Sequence, residues 1–148
     1  RKLEELEKSV HKEKISLRRD GNTFYATVVI NGKHTSEMVV DSGASLISLP
    51  YELAVSMDLK PEPGDKRILL SIADGSTITG VLKKIPIVRV GTFEVKDVEC
   101  AVLGPEAVSA TPLLGMSFLG EFQFQLDSAE STLGITQIEG DASATKRK

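Results

Sequence analysis

Apolar and polar residues alternate along most of the chain after residue 15, in short runs separated by turns that contain glycine. Runs 23–30 and 38–40 flank Asn31-Gly32, a pair typical of β-hairpins because glycine accepts the positive φ that such turns need. Ala73-Asp74-Gly75-Ser76 predicts a second hairpin by the same argument. We therefore expect an all-β domain, a small closed barrel of many short strands. The pattern predicts its further strands at 67–72, 77–82, 85–90, 93–95, 98–103, 121–126 and 133–135. Gly91-Thr92 predicts another turn, between the strands at 85–90 and 93–95.

One or two short helices are expected within this β domain. Pro50 suits the first turn of a helix over 50–57, because the N–H that proline lacks would have no partner there. The apolar run 113–120 is interrupted by glycines, and we expect it to end in the second short helix.

The first residues follow a different pattern. The segment from Arg1 to Lys14 is rich in charge and lacks glycine and proline, and Leu3, Leu6 and Val10 recur at helical spacing. We therefore predict a charged amphipathic N-terminal helix at 1–15 and a β domain at 16–138. The small polar residues at 139–148 predict a disordered tail.

Composition narrows the classes of function. The chain has 148 residues, of which 41% are hydrophobic, enough for one domain with a real core. Its net charge of −3 gives no reason to expect nucleic-acid binding. No apolar run is long enough to span a membrane. The chain begins with Arg1 rather than Met, which indicates a fragment or a processed form, so a membrane tether or a periplasmic location is left open.

Cysteine and histidine are scarce. Cys100 is the single cysteine, which excludes an intrachain disulfide and a thiolate cluster. It follows the acidic stretch Asp97-Val98-Glu99, which would raise the pKa of its thiol, so we expect a core residue. His11 and His34 are the only histidines. The chain therefore offers few candidate residues for a Ser-His-Asp triad or a histidine metal site.

Asp41 is the most informative candidate for chemistry. It comes where the second strand of the first hairpin ends, after two valines and before Ser42-Gly43-Ala44, and an apolar run resumes at 46–50. A carboxylate with such neighbours is poorly solvated, which is typical of functional acids. The alternative from these residues alone is a surface Asp-Ser-Gly turn, which is common in β proteins.

The apolar-apolar-Asp-Ser-Gly-Ala pattern resembles the catalytic loop of retropepsin-like aspartic proteases. A hairpin with glycine at its tip follows, and Leu113-Leu114-Gly115 precedes a short helix. This order is similar to that of bacterial and retroviral members of the family, over roughly residues 23–134. The resemblance implies an all-β fold of the retropepsin (acid protease) type and an aspartic endopeptidase that needs no metal or other cofactor.

The resemblance also implies roles for individual residues. Asp41 would be catalytic, Ser42 would hydrogen-bond across a dimer axis, and Gly43 would let backbone approach the carboxylates. Ala44 offers the carboxylate no hydroxyl group. A flap that closes on the substrate would contain Ile72, Ala73, Asp74, Gly75 and Ser76. Leu113, Leu114 and Gly115 would pack beneath the catalytic loop. The alternative, that they form an ordinary core strand followed by a turn, is left open.

Such a mechanism needs two carboxylates that share one proton, whereas this chain supplies one matching Asp. Asp127-Ser128-Ala129 lacks the glycine, and Asp74-Gly75-Ser76 has the wrong order. The chain is also too short for the two-lobed single-chain enzymes of this class. The second carboxylate must then be Asp41 of another copy, which predicts a two-fold symmetric homodimer acting on a peptide or protein substrate.

Two other functions are compatible with the sequence. One is a catalytically weak or inactive retropepsin-fold module for dimerisation or peptide binding, with the N-terminal helix as a docking arm. The other is a generic β-barrel that binds a small ligand and carries Asp41 on an exposed turn. The enzyme is favoured because a scaffold has no use for a desolvated carboxylate. Cleavage of an unstructured protein, with Asp41→Asn as control, distinguishes these functions.

Overall fold

The computed structural model describes residues 10–71, 75–107 and 110–138, and these residues are mostly in β-strands. Two short helices interrupt the strands. The elements in chain order are β1 (Val10–Ser16), β2 (Arg18–Asp20), β3 (Thr23–Ile30), β4 (His34–Val40), β5 (Ile47–Leu49), α1 (Tyr51–Ser56), β6 (Lys66–Ser71), β7 (Thr77–Val90), β8 (Phe93–Leu103), β9 (Leu113–Leu114), α2 (Met116–Leu119), β10 (Gln123–Asp127) and β11 (Thr132–Ile138).

The strands form two sheets. The larger has the order β2-β3-β4-β9-β5-β8-β7-β6, and β3 also pairs with β7, so that the strands between them form a ring. The smaller sheet has the order β1-β11-β10. This arrangement confirms the predicted all-β class with short helices.

The predicted hairpins are present because their turns are encoded locally. Asn31 and Gly32 have φ values of 54° and 71°, and β3 pairs antiparallel with β4 on either side of them. Gly91, with φ of 60°, begins the turn between β7 and β8. A left-handed backbone is inexpensive for glycine and asparagine, which explains why these residues occur at the turns.

The sequence prediction divided β7 and β8 into shorter strands, and this was wrong. β7 runs without a break from Thr77 to Val90 although it contains Pro86. The register with β8 is the same on both sides, where Ile85 pairs with Val98 and Ile87 pairs with Lys96. Proline cannot donate to the ladder, so one pair is missing while the flanking pairs keep the strand together.

The N-terminal helix predicted at 1–15 needs correction where the structure describes it. Residues 1–9 lie outside the described residues, as does the predicted tail at 139–148. Val10–Ser16 is strand β1, and every residue of it pairs with β11. His11, Glu13 and Ile15 are half-buried while the residues between them are exposed, which is the period of two of a strand. Pairing with β11 overrides the weak local preference for a helix.

The two sheets meet through side chains of β1. The ring of His11 stacks on Phe93 at 4.4 Å between centroids, and the Thr92 hydroxyl donates to Glu13 Oε1 at 2.6 Å. Phe122 packs edge-on against Phe93, with 5.3 Å between centroids. These contacts fix the smaller sheet against the turn between β7 and β8.

Cys100 lies in the core as predicted, with 0% of its surface exposed. Burial raises the pKa of its thiol to about 12, although Lys83 acts in the opposite direction. The cause is therefore desolvation rather than the acidic neighbours invoked from sequence. Such a thiol is a packing group and has no nucleophilic role. Among the described residues, no helix has the length and apolar character needed to cross a membrane.

Candidate active site

Strand β9 fixes the place where Asp41 leaves β4. It lies between β4 and β5, parallel to the first and antiparallel to the second. Val39 pairs with Leu113, and Leu113 also pairs with Ser48. The residues between β4 and β5, 41–46, are here called the Asp41 loop, and both of its ends are therefore attached to the same short strand.

Hydrogen bonds continue this attachment into the loop. The Asp41 N–H donates to the Leu114 carbonyl at 3.1 Å, and the Met116 N–H donates to the Ala44 carbonyl at 2.8 Å. At the far end, the Ile47 N–H donates to Ser117 Oγ at 2.9 Å. The segment 113–117 thus binds the Asp41 loop at its start, middle and end. Leu113 and Leu114 form strand β9 beside the loop, and Gly115 lies against the loop carbonyls.

Gly115 is required at this contact for lack of space. A Cβ atom on it would clash with the Leu46 carbonyl oxygen and would lie 2.7 Å from that of Ala44. Both obstacles are backbone atoms, which cannot move aside as a flexible side chain could. The glycine therefore allows α2 to begin directly beneath the Asp41 loop.

The Asp41 carboxylate is half-buried and is oriented by its own loop. The Gly43 N–H donates to Asp41 Oδ1 at 2.9 Å, and the Ala44 N–H donates to the Asp41 carbonyl at 3.1 Å. Ser42 and Gly43 are exposed. Among the described residues, no second carboxyl group hydrogen-bonds to Asp41. The single chain thus presents one oriented carboxylate on a loop whose tip faces solvent.

The expected flap is described only in part. β6 and β7 pair antiparallel up to Ser71 and Thr77, which confirms a hairpin. Ile72, Ala73 and Asp74 lie outside the described residues, and the exposed Gly75 has φ of 89°. A Cβ on Gly75 would meet no heavy atom within 4 Å.

Other candidate chemistry is weaker. Asp127 Oδ1 accepts the Glu130 N–H at 3.0 Å, the common role of an Asp at the start of a turn. Within the described part of the chain, no three His, Cys, Asp or Glu side chains are grouped as metal ligands would be. Neither observation provides a second catalytic centre.

Sequence reasoning missed three residues, one beside the Asp41 loop and two beside the β6–β7 hairpin. Ser117 holds the end of the Asp41 loop through its hydroxyl, and Thr79 donates from β7 to Glu106 Oε2 at 3.3 Å. Each contact joins residues that are distant in sequence, so no local pattern could have identified them. The Gly104-Pro105 pair is the one visible signal, because it marks a turn just before Glu106.

Comparison with known proteins agrees with this geometry. A family model described as "gag-polyprotein putative aspartyl protease" matches residues 26–121, which include the Asp41 loop and β9. A retropepsin-like aspartic protease from Rickettsia conorii has a similar crystal structure, with a TM-score of 0.66 and 27% sequence identity. That similarity covers 86% of this chain and 91% of the other. Among curated proteins, none matches the chain.

The chain belongs to the gag-polyprotein aspartyl protease family and has a retropepsin-like fold, because the family match covers well over half of its length. Family and fold together support a protease function in general terms. They confirm the resemblance drawn from the Asp-Ser-Gly-Ala sequence.

Proposed function

We propose that the protein is an aspartic endopeptidase whose active site is completed by two copies of the chain. The observation that carries this proposal is the Asp41 carboxylate, half-buried and oriented by the Gly43 N–H, on a loop held from behind by β9. The exposed side of the loop, Ser42 and Gly43, leaves room for a second Asp41 loop to approach. Ser42 would hydrogen-bond across the dimer axis, and Gly43 would allow close contact of the two backbones.

The proposed chemistry uses one proton shared by two carboxyl groups. The ionised Asp41 takes a proton from a water molecule, and that water attacks the carbonyl carbon of the peptide bond. The protonated Asp41 of the second copy donates its proton to the carbonyl oxygen, which gives a tetrahedral intermediate. The C–N bond then breaks as the nitrogen takes the proton that the first Asp41 removed from water, and the carbonyl re-forms as one hydroxyl proton of the intermediate returns to the second Asp41. Two carboxylates about 3 Å apart cannot both ionise, so the pair holds a single proton at working pH. No metal or cofactor is needed.

The hairpin between β6 and β7 would close over an extended peptide as a flap. Its base is a regular antiparallel ladder that runs from the pair Lys66 and Leu82 to the pair Ser71 and Thr77. This ladder would support residues 72–76 during closure. Closure of such a flap excludes water from the reacting peptide bond. Residues Ile72, Ala73, Asp74, Gly75 and Ser76 are proposed to touch the substrate on this side.

The experiment is cleavage of an unstructured protein by Asp41→Asn and by the unmodified chain. The amide is nearly isosteric and can still accept the Gly43 N–H, but it cannot exchange the proton. We expect kcat to fall by about 100- to 10,000-fold or more while the thermal unfolding temperature changes little. Asp97→Asn, at an exposed position, is the matched control and should retain activity.

Full activity of Asp41→Asn would contradict the catalytic assignment. If the unmodified chain itself cleaves nothing, the second function is favoured. That function is a module of the same fold that binds peptides without hydrolysing them.

A further inference from the structure

Residues 104–107 and 110–112, which lie between β8 and β9, contact the β6–β7 hairpin at one end and the end of β4, just before the Asp41 loop, at the other. At the first end, the Gly104 N–H donates to the Thr79 carbonyl in the β6–β7 hairpin at 3.1 Å. At the second end, the Pro112 carbonyl accepts the Val39 N–H at 3.0 Å, two residues before Asp41. These described residues, here called the wall, therefore contact both the hairpin and the strand that leads to Asp41.

Glu106 is held in a defined place on this wall. Its Oε2 accepts a hydrogen bond from Thr79 Oγ1 at 3.3 Å. Its carboxyl group also lies over Gly104, where a Cβ would come within 2.5–2.8 Å of three of its atoms. The glycine thus leaves space for the acid, and the threonine orients it.

The charge of Glu106 is not compensated by the described residues. None of the ion pairs that they form includes it. The side chain is exposed, and Pro105 and Ala107 beside it are uncharged. By contrast, Glu37 on β4 pairs with Arg18 at 2.7 Å and Asp65 pairs with Lys83 at 2.8 Å. An oriented carboxylate that lacks a cation can bind one supplied by a ligand.

We propose that Glu106 is a specificity-determining residue that selects a lysine or arginine side chain in the peptide substrate. This inference rests on the proposed function, in which the wall would border the space where the peptide lies. An extended peptide directs alternate side chains to opposite sides. On each side of the scissile bond, one substrate side chain would therefore reach the wall of one protomer. In a two-fold symmetric dimer the two copies of Glu106 select one basic position on each side of the scissile bond.

The alternative role of Glu106 is to brace the turn at Gly104 through Thr79. Glu106→Gln separates the two roles, because the amide oxygen still accepts from Thr79 while the charge is removed. Glu106→Lys reverses the charge. Glu94→Gln, exposed near the opposite end of β8, removes the same charge away from the wall and is the matched control.

The test measures kcat/KM on a set of peptides in which each position in turn carries Lys, Gln or Glu. The unmodified chain should prefer Lys over Gln by about fivefold at two positions related by symmetry about the cleaved bond. The preference should vanish in Glu106→Gln, turn toward Glu in Glu106→Lys and persist in Glu94→Gln. The bracing role predicts instead a uniform change across all peptides.

A second readout does not need catalysis. Fluorescence anisotropy gives the Kd of the same peptides, carrying a fluorophore, for Asp41→Asn and for the double variant Asp41→Asn/Glu106→Gln. Tighter binding of the Lys peptide by the first but not by the second supports the proposal. Equal Kd values for Lys and Gln peptides in the first variant overturn it, whatever the outcome for cleavage. Failure of cleavage alone, with the binding preference present, counts against the proposed catalysis and leaves this specificity supported.

Discussion

The carbonyl oxygens of Ala44 and Leu46 leave no room for a side chain at residue 115. This crowding is what joins α2 to the Asp41 loop, since the Met116 N–H reaches the Ala44 carbonyl only across so short a gap. The position of the Asp41 carboxylate therefore depends on a glycine that never touches it. At the scale of single residues, the site is determined by backbone packing as much as by the acid itself.

Gly115→Ala should destabilise the fold and displace the Asp41 loop. The added methyl meets backbone atoms on two sides, so we expect the free energy of unfolding to fall by about 1–3 kcal/mol. Urea denaturation measures this change. Gly134→Ala is the matched control, because the nearest atom to its Cβ would be 3.8 Å away. Equal stability of the two variants would show that the contact beneath the loop is loose.

Ala44→Ser should shift the pH dependence of proteolysis. Ala44 belongs to the loop that orients Asp41, and a hydroxyl there would hydrogen-bond to the charged carboxylate and favour it. We expect the acid limb of the kcat/KM profile to move to lower pH relative to the unmodified chain. Both profiles are measured on one peptide at one ionic strength. An acid limb that stays in place or rises would mean that residue 44 does not face the carboxyl pair.

At the scale of elements, local signals predicted what local chemistry determines. The hairpins at Asn31-Gly32 and Gly91-Thr92 were foreseen because their turns need a positive φ, which the sequence displays directly. The Asp41 loop was foreseen from its own residues. The insertion of β9 between β4 and β5 was not, because it joins segments more than sixty residues apart in the chain.

The errors have the same origin. Strand β1 was predicted as part of a helix because its charged residues suit one, and only its pairing with β11 makes it a strand. β7 was predicted as two strands divided at residues 83–84, yet its ladder with β8 continues through both of them. Thr79 and Glu106 could not be paired from sequence, because a fold is needed to bring them together. Long-range pairing decided each case.

The loop before β6 is attached to β7 by one ion pair, between Asp65 and Lys83 at 2.8 Å. The Lys83 ammonium, with help from the Glu62 N–H, lowers the pKa of Asp65 from its ordinary value of 3.8. Because the pKa of Asp65 is lower in the folded state than in the unfolded state, the ion pair stabilises the fold at pH values above the unfolded-state pKa. That contribution is lost as the pH falls through the lowered folded value.

Asp65→Asn should therefore cost stability at neutral pH and less in acid. The difference in unfolding free energy between the unmodified chain and the variant should be largest at pH values well above 3.8 and should shrink below it. Urea titrations across this range measure it. The exposed Asp97→Asn serves as the control for general charge effects. A difference that does not depend on pH would mean that the ion pair does not form.

At the scale of the whole molecule, the ring of strands brings one Asp41 loop to the surface with its tip exposed. The core behind it is apolar throughout the described residues, so none of their buried side chains supplies a second acid. We propose that a partner copy completes the carboxyl pair. The central claim is that each protomer carries half of the catalytic site.

Mixing of subunits tests this claim most directly. Equal amounts of the unmodified chain and Asp41→Asn are equilibrated above the concentration at which dimers form, and peptide cleavage is measured at constant total protein. Random pairing leaves about one quarter of the dimers with two Asp41 side chains, so we predict about one quarter of the full activity. With Asp97→Asn in place of Asp41→Asn, the activity should stay close to full. If activity in the first mixture falls only to about one half, each chain acts alone and the shared site is contradicted.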